Sequence, residues 1–236
     1  MSYQKNLSIE EFTLISNYVL VRPLRKDNEL VLSDKQTIFI DPSWEREKHA
    51  PSAGVVIRTP SRIYFNPKDP NSAEYETDQE LLEGDTVVFH YLCFQTAIER
   101  RQCFTVNGEI YLLIKYDQIF LAKRDEDVIP INGWLIIEPD DEEVNIGTLI
   151  KPDQLLNRKS LTHGTIRFAG TIVRNYASIY TKDKPFDTDE VSIGDHVTFS
   201  KEDSIPLQYE LHQIIEKGKT LYRAQRKDIL TVTNKQ

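Results

Sequence analysis

The sequence predicts an all-β protein made of two tandem β domains, each with the layout of a sandwich or a barrel. Three observations point there. Short β-branched and aromatic runs alternate with turn residues along most of the chain. Helical periodicity is confined to the first residues. The same ordered set of short blocks then occurs twice. A chain of 236 residues accommodates two such domains of about 100 to 120 residues each.

The elements follow in order. Residues 1–16 form an N-terminal segment. Ser8 and Glu11 fit a capping box, and Ile9, Phe12 and Ile15 share one helical face, so a short helix or turn docked on the body is expected. The strand runs are Tyr18–Val21, Val55–Ile57, Thr86–His90, Ile110–Ile114 and Ile119–Leu121. Tyr18–Val21 is apolar on both faces, as a central strand or one covered by a neighbouring subunit requires. In LLEGDTVVFH (81–90), Gly84-Asp85 reads as a turn, and Val87 and Phe89 alternate with Thr86 and Val88.

The repeat rests on four matches. Asn17-Tyr-Val-Leu-Val-Arg-Pro23 resembles Asn132-Gly-Trp-Leu-Ile-Ile-Glu-Pro139. Gly54-Val-Val-Ile matches Gly164-Thr-Ile-Arg, and LLEGDTVVFH matches VSIGDHVTFS (191–200), both at an offset of 110. Tyr111 and Asp117 match Tyr222 and Asp228 at 111. The first β domain is therefore placed at 17–124 and the second at 128–234, joined by the charged stretch Arg124–Asp127.

Each copy carries a long connection. The apolar triplet Ile38-Phe39-Ile40 is followed by 14 residues, Asp41–Gly54, and Thr148-Leu149-Ile150 by another 14, Lys151–Gly164. A proline follows each triplet closely, at Pro42 and Pro152. Connections of this length without structure of their own tend to be functional or disordered. Each triplet is either an ordinary strand of its own barrel or an apolar segment offered to a partner's groove, where ordering on binding keeps the association reversible.

Composition narrows the function classes. The net charge of −8 and the absence of a dense Lys/Arg block argue against nucleic acid as a partner. No run approaches the length of a membrane span, and the first residues lack a signal-peptide layout, so a cytoplasmic protein with no membrane partner is expected. Cys93 and Cys103 have no metal-type spacing and read as reduced thiols. The five histidines form no ligand motif, Asp140–Glu143 reads as an exposed acidic turn, and no nucleotide-binding or hydrolase motif occurs. No catalytic residue, metal or cofactor is expected, and the chain does not read as an enzyme.

These blocks together resemble the co-chaperonin (GroES-like, chaperonin-10) family. Val191-Ser-Ile-Gly-Asp-His-Val-Thr-Phe199 fits the family's V-x-x-G-D-x-V-x-F block, and Leu82–Phe89 fits its core. Lys227-Asp-Ile-Leu230 and Asp117-Gln-Ile-Phe-Leu-Ala122 are similar to its terminal block, the latter with one inserted residue. The likeness covers roughly 17–123 and 131–233. It implies two GroES-like β-barrels with long mobile loops. It also implies a homo-oligomeric ring that caps a GroEL-like chaperonin and encloses an unfolded client protein, the ATP hydrolysis belonging to the chaperonin. By position, Ile38, Phe39, Ile40, Thr148, Leu149 and Ile150 would dock on the chaperonin's apical domains.

The chain departs from the family at several places. Phe39 is bulkier than the usual aliphatic residue, Thr148 is a weaker anchor, and Leu30-Val31-Leu32 competes for the docking role. Glycine before the triplet is reduced to Gly147 in the second copy and is absent in the first. Segments 58–81 and 171–190 exceed the family's roof hairpin. Tandem copies occur in plastid co-chaperonins, and a phage-encoded variant fits equally. The rival expectation is a structural or virion assembly protein whose loops clasp neighbouring subunits.

Overall fold

In the computed structural model, residues 9, 12–25, 29–31, 37–39, 50–66, 75–141, 159–175, 191–199, 205–206 and 220–233 are described. Their strands are β1 (Tyr18–Pro23), β2 (Glu29–Val31), β3 (Thr37–Phe39), β4 (Ala53–Arg58), β5 (Tyr75–Glu76) and β6 (Thr86–Phe89). The helix α1 (Cys93–Glu99) follows, then β7 (Cys103–Val106), β8 (Glu109–Lys115), β9 (Ile119–Arg124), β10 (Asp127–Pro130) and β11 (Leu135–Asp141). The remaining strands are β12 (Lys159–Ala169), β13 (Arg174–Asn175), β14 (His196–Phe199), β15 (Ile205–Pro206), β16 (Tyr222–Ala224) and β17 (Ile229–Thr233).

The chain is mostly β, as expected, and its pairings are antiparallel. One seven-stranded sheet runs β10-β9-β6-β4-β1-β8-β7, and one six-stranded sheet runs β15-β16-β11-β12-β14-β17. Among the described residues, neither sheet closes on itself. Val19, Leu20 and Val21 are fully buried because β1 is central, between β4 and β8.

The two sheets share one register. Val21 faces Val56 and Pro23 faces Gly54 in the first, and Ile137 faces Ile166 and Pro139 faces Gly164 in the second. A register shift falls between Leu20 and Val21, and again between Ile136 and Ile137. Val87 opposes Ala122 and Phe89 opposes Ile119, just as Val197 opposes Val232 and Phe199 opposes Ile229. Gly54 and Gly164 are needed at these crossings. A Cβ on Gly54 would meet the Arg22 carbonyl oxygen at 2.7 Å, and one on Gly164 would meet that of Glu138 at 2.5 Å.

The Gly-Asp turns match equally closely. Gly84 and Gly194 have φ of 95° and 94°, a conformation costly for any residue with a Cβ. The Asp85 carboxylate accepts from the Leu82 N–H at 2.8 Å, and that of Asp195 from the Ser192 N–H at 2.7 Å. In the first copy Arg124 adds a bidentate pair to Asp85, at 2.9 and 2.8 Å.

The register corrects the sequence alignment at two points. Leu112 opposes Val21 and Tyr222 opposes Ile137, so Tyr222 matches Leu112 rather than Tyr111. The turns Tyr116–Gln118 and Arg226–Asp228 correspond, so Asp228 takes the place of Gln118 rather than Asp117. Carried back along β1 and β11, the same register equates Ser16 with Asn132. Both have positive φ, at 73° and 57°.

Of the expected N-terminal helix or turn, the capping-box residues Ser8 and Glu11 lie outside the described residues. Ile9 sits in a 3-10 turn that the Phe12 N–H closes at 3.2 Å, and 12–17 are irregular. Phe12 docks by stacking on Phe104 with ring centroids 5.3 Å apart, whereas Ile15 is exposed. The Arg124–Asp127 stretch, read as a linker, is a tight hairpin turn joining β9 to β10.

Each sheet has its own apolar cluster, one around Val21, Phe89, Leu112 and Ile119, the other around Ile137, Ile166, Val197 and Phe199. A third cluster joins them, containing Ala53, Val88, Phe120 and Leu121 with Trp134, Ile136 and Leu221. Val88, read from alternation as facing away from the core, is buried in this seam. Arg223 crosses the seam with its guanidinium 3.8 Å from the Phe120 ring centroid and 4.7 Å from that of Trp134. Of segments 58–81 and 171–190, expected to exceed a roof hairpin, the described residues meet each other where β5 pairs with β13.

Candidate functional site

The residues expected to dock are rooted in equivalent places. Ile38-Phe39-Ile40 lies in the connection from β1 to β4, and Thr148-Leu149-Ile150 in the connection from β11 to β12. The neck of the first connection is fixed. The Leu24 N–H donates to the Ala53 carbonyl at 3.0 Å, the Phe89 N–H donates to that of Ser52 at 2.8 Å, and Ala50 and Ala53 are buried.

Beyond the neck, Ile38 and Phe39 belong to β3, which among the described residues pairs with β2 in a separate two-stranded sheet. Leu30 opposes Ile38 and Val31 opposes Thr37. Leu30 and Val31 of the competing triplet therefore lie on the strand paired with the one that carries Ile38 and Phe39. Phe39 is 72% exposed. Ile40 and the whole second triplet, Thr148, Leu149 and Ile150, lie outside the described residues.

The second neck differs from the expected loop. β12 starts at Lys159, and Asp141 opposes Lys159, so the strand pair extends well before Gly164. The acidic turn is tied into this neck. The Lys159 ammonium donates to Asp141 at 2.5 Å, and Nε2 of His196 lies 2.6 Å from the Asp140 carboxylate. His163 is exposed, with its ring stacked beside His196 at 6.4 Å. No group of three or more His, Cys, Asp or Glu side chains arranged to hold a metal occurs among the described residues.

The titratable groups with displaced pKa values sit in the framework. Burial pushes the Cys93 thiol up to about 12 and raises Cys103, and both cysteines are free. Burial lowers Arg223 to about 10, with Asp228 opposing the shift, and burial followed by the Arg223 charge lowers His90. Glu80 is held at about 7, chiefly by burial. Its Oε2 accepts from the Asn132 N–H at 2.9 Å and from the Tyr116 hydroxyl at 3.3 Å. Sequence reading missed Glu80, Arg223 and α1. A lone acid, a lone mid-strand arginine and one seven-residue helix leave no periodic signal.

No family model matches the chain, and no curated protein matches it. Among the described residues, no helix is long and apolar enough to cross a membrane.

Proposed function

We propose that the protein is a co-chaperonin with two GroES-like barrels, which caps a GroEL-like chamber through its two loop triplets and so assists folding of a client. The exposed Phe39 on a free-standing hairpin supports this reading most directly. An aromatic side chain at 72% exposure forgoes about 1 to 2 kcal/mol that burial in a groove would return. Its root between two pinned strands sets where it is presented while leaving the hairpin outside the main sheet. The matching connection in the second copy supplies Leu149 and Ile150, and two weak contacts on one chain bind more tightly than either alone. The remaining proposed docking residues are Ile38, Ile40 and Thr148.

Co-sedimentation with the chaperonin of the natural host tests this. Binding is expected with ATP or ADP and is lost without nucleotide. A protein that ignores the chaperonin in every nucleotide state is not its lid. Assembly without chaperonin or nucleotide would favour the structural clasp.

A further inference from the structure

We infer that Arg223 and His90 form a binding site for a phosphate-class oxyanion in the seam between the two repeats. Arg223 supplies the buried charge. On β16 it opposes Ile136 of β11 and Ile205 of β15, and the residue is only 6% exposed. Its guanidinium lies 3.8 Å from the Phe120 ring centroid and 4.7 Å from that of Trp134. The rings attract the charge through their faces but offer no oxygen to its five N–H donors. Among the described residues, its side chain makes no ion pair and no hydrogen bond. Asp228 is the acid whose charge it senses, and that carboxylate accepts from the Gln225 N–H at 3.0 Å. Burying a cation without a hydrogen-bonded anion is costly.

The duplication shows that the barrel does not need a cation here. Arg223 opposes Ile136 as Leu113 opposes Leu20, so the equivalent strand position in the first repeat is apolar. The charge therefore serves something other than the fold of a repeat.

His90 supplies the second donor. Its ring meets Phe120 edge-on with centroids 6.1 Å apart, so it shares that ring with Arg223. Its Nδ1 accepts from the Leu92 N–H at 3.2 Å, which leaves the proton of the neutral imidazole on Nε2. Burial and then the Arg223 charge lower His90, so the two groups act on each other as like charges. An anion shared by both turns that repulsion into attraction to a common partner. His90 is half-buried and Leu92 beside it is exposed, so this side of the seam meets solvent. A guanidinium takes two oxygens in its fork. Phosphate keeps further oxygens for the His90 Nε2–H, whereas both oxygens of a carboxylate are used by the fork.

The inference does not rest on the lid reading, and its test uses the full chain without chaperonin. Trp134 is the reporter. In a Trp44→Phe chain, where it is the sole tryptophan, sodium phosphate should change its fluorescence saturably, and sodium chloride of equal ionic strength should not. Arg223→Met and, separately, His90→Asn, which keeps an acceptor for the Leu92 N–H, should each weaken half-saturation at least about tenfold. Phosphate should also raise the melting temperature of the parent more than that of Arg223→Met. If Arg223→Met does not fold, His90→Asn decides. Ribose 5-phosphate separates the sources: tighter binding than phosphate assigns a phosphomonoester and weaker binding the free ion, and either sustains the proposal. No saturable response in the parent, a variant that responds as the parent does, or acetate matching phosphate would overturn it.

Discussion

Glu80 makes stability fall as pH rises through neutrality. Its carboxyl is held at about 7 in the folded protein against an ordinary 4.5. The folded state therefore binds the proton more tightly than the unfolded chain does. An acid raised in this way is neutral in both states below pH 4.5, so no penalty applies there. Between pH 4.5 and 7 the unfolded chain ionises first, and stability declines. Above pH 7 the decline levels off. A difference of 2.5 pH units corresponds to about 3 kcal/mol, and allowing for partial exposure reduces this to about 2 kcal/mol. Glu80→Gln keeps an acceptor for the Asn132 N–H and the Tyr116 hydroxyl but cannot ionise. Urea unfolding of both proteins at pH 5, 6, 7 and 8 isolates the effect, because other titrating groups cancel in the difference. The variant should gain about 2 kcal/mol relative to the parent between pH 5 and pH 8. A difference that stays flat across this range would refute the reasoning.

Further outcomes follow from the same geometry. Phe39→Asp combined with Leu149→Asp should abolish chaperonin co-sedimentation while Phe39→Asp alone changes unfolding free energy by less than about 0.5 kcal/mol, as expected for an exposed site. Gly54→Ala forces a Cβ to within 2.4 Å of Val21 Cγ1 and 2.7 Å of the Arg22 carbonyl, and should cost about 2 to 3 kcal/mol by denaturant titration. Asp85→Ala removes both the turn acceptor and the Arg124 partner, and a loss of about 3 kcal/mol is expected, with the same substitution at the partly exposed Asp195 costing less.

Much of the framework was legible because it depends on local chemistry. The Gly-Asp turns are visible since only glycine takes φ near +95° cheaply, and the strand that follows the second of them alternates over four residues. The Pro23–Gly54 crossing reappears as Pro139–Gly164 because both glycines leave room for a carbonyl. What stayed hidden depends on residues far apart in sequence. Arg223 is an ordinary exposed strand cation until Phe120 and Trp134 enclose it. Val88 breaks the predicted alternation because a second sheet covers its face. The N-terminal pattern of Ile9, Phe12 and Ile15 pointed to a helix or turn docked on the body, but not to Phe104 as the ring on which Phe12 stacks. At the docking site, the sequence marked Phe39 as apolar and loop-borne. It did not show that Leu30 and Val31 form the strand opposite it.

The seam around Arg223 has a consequence for how the chain comes apart. Its residues are drawn from both repeats, and Phe120, Leu121 and Trp134 lie within a few residues of the turn that joins them. Cutting the chain there would leave each half with a bare apolar flank, and the first half would lose the cation that caps its aromatic ring. The two repeats are therefore expected to melt as a single unit. Calorimetry should give one transition whose van't Hoff and calorimetric enthalpies agree, and neither repeat expressed alone should reach the stability it has in the whole chain.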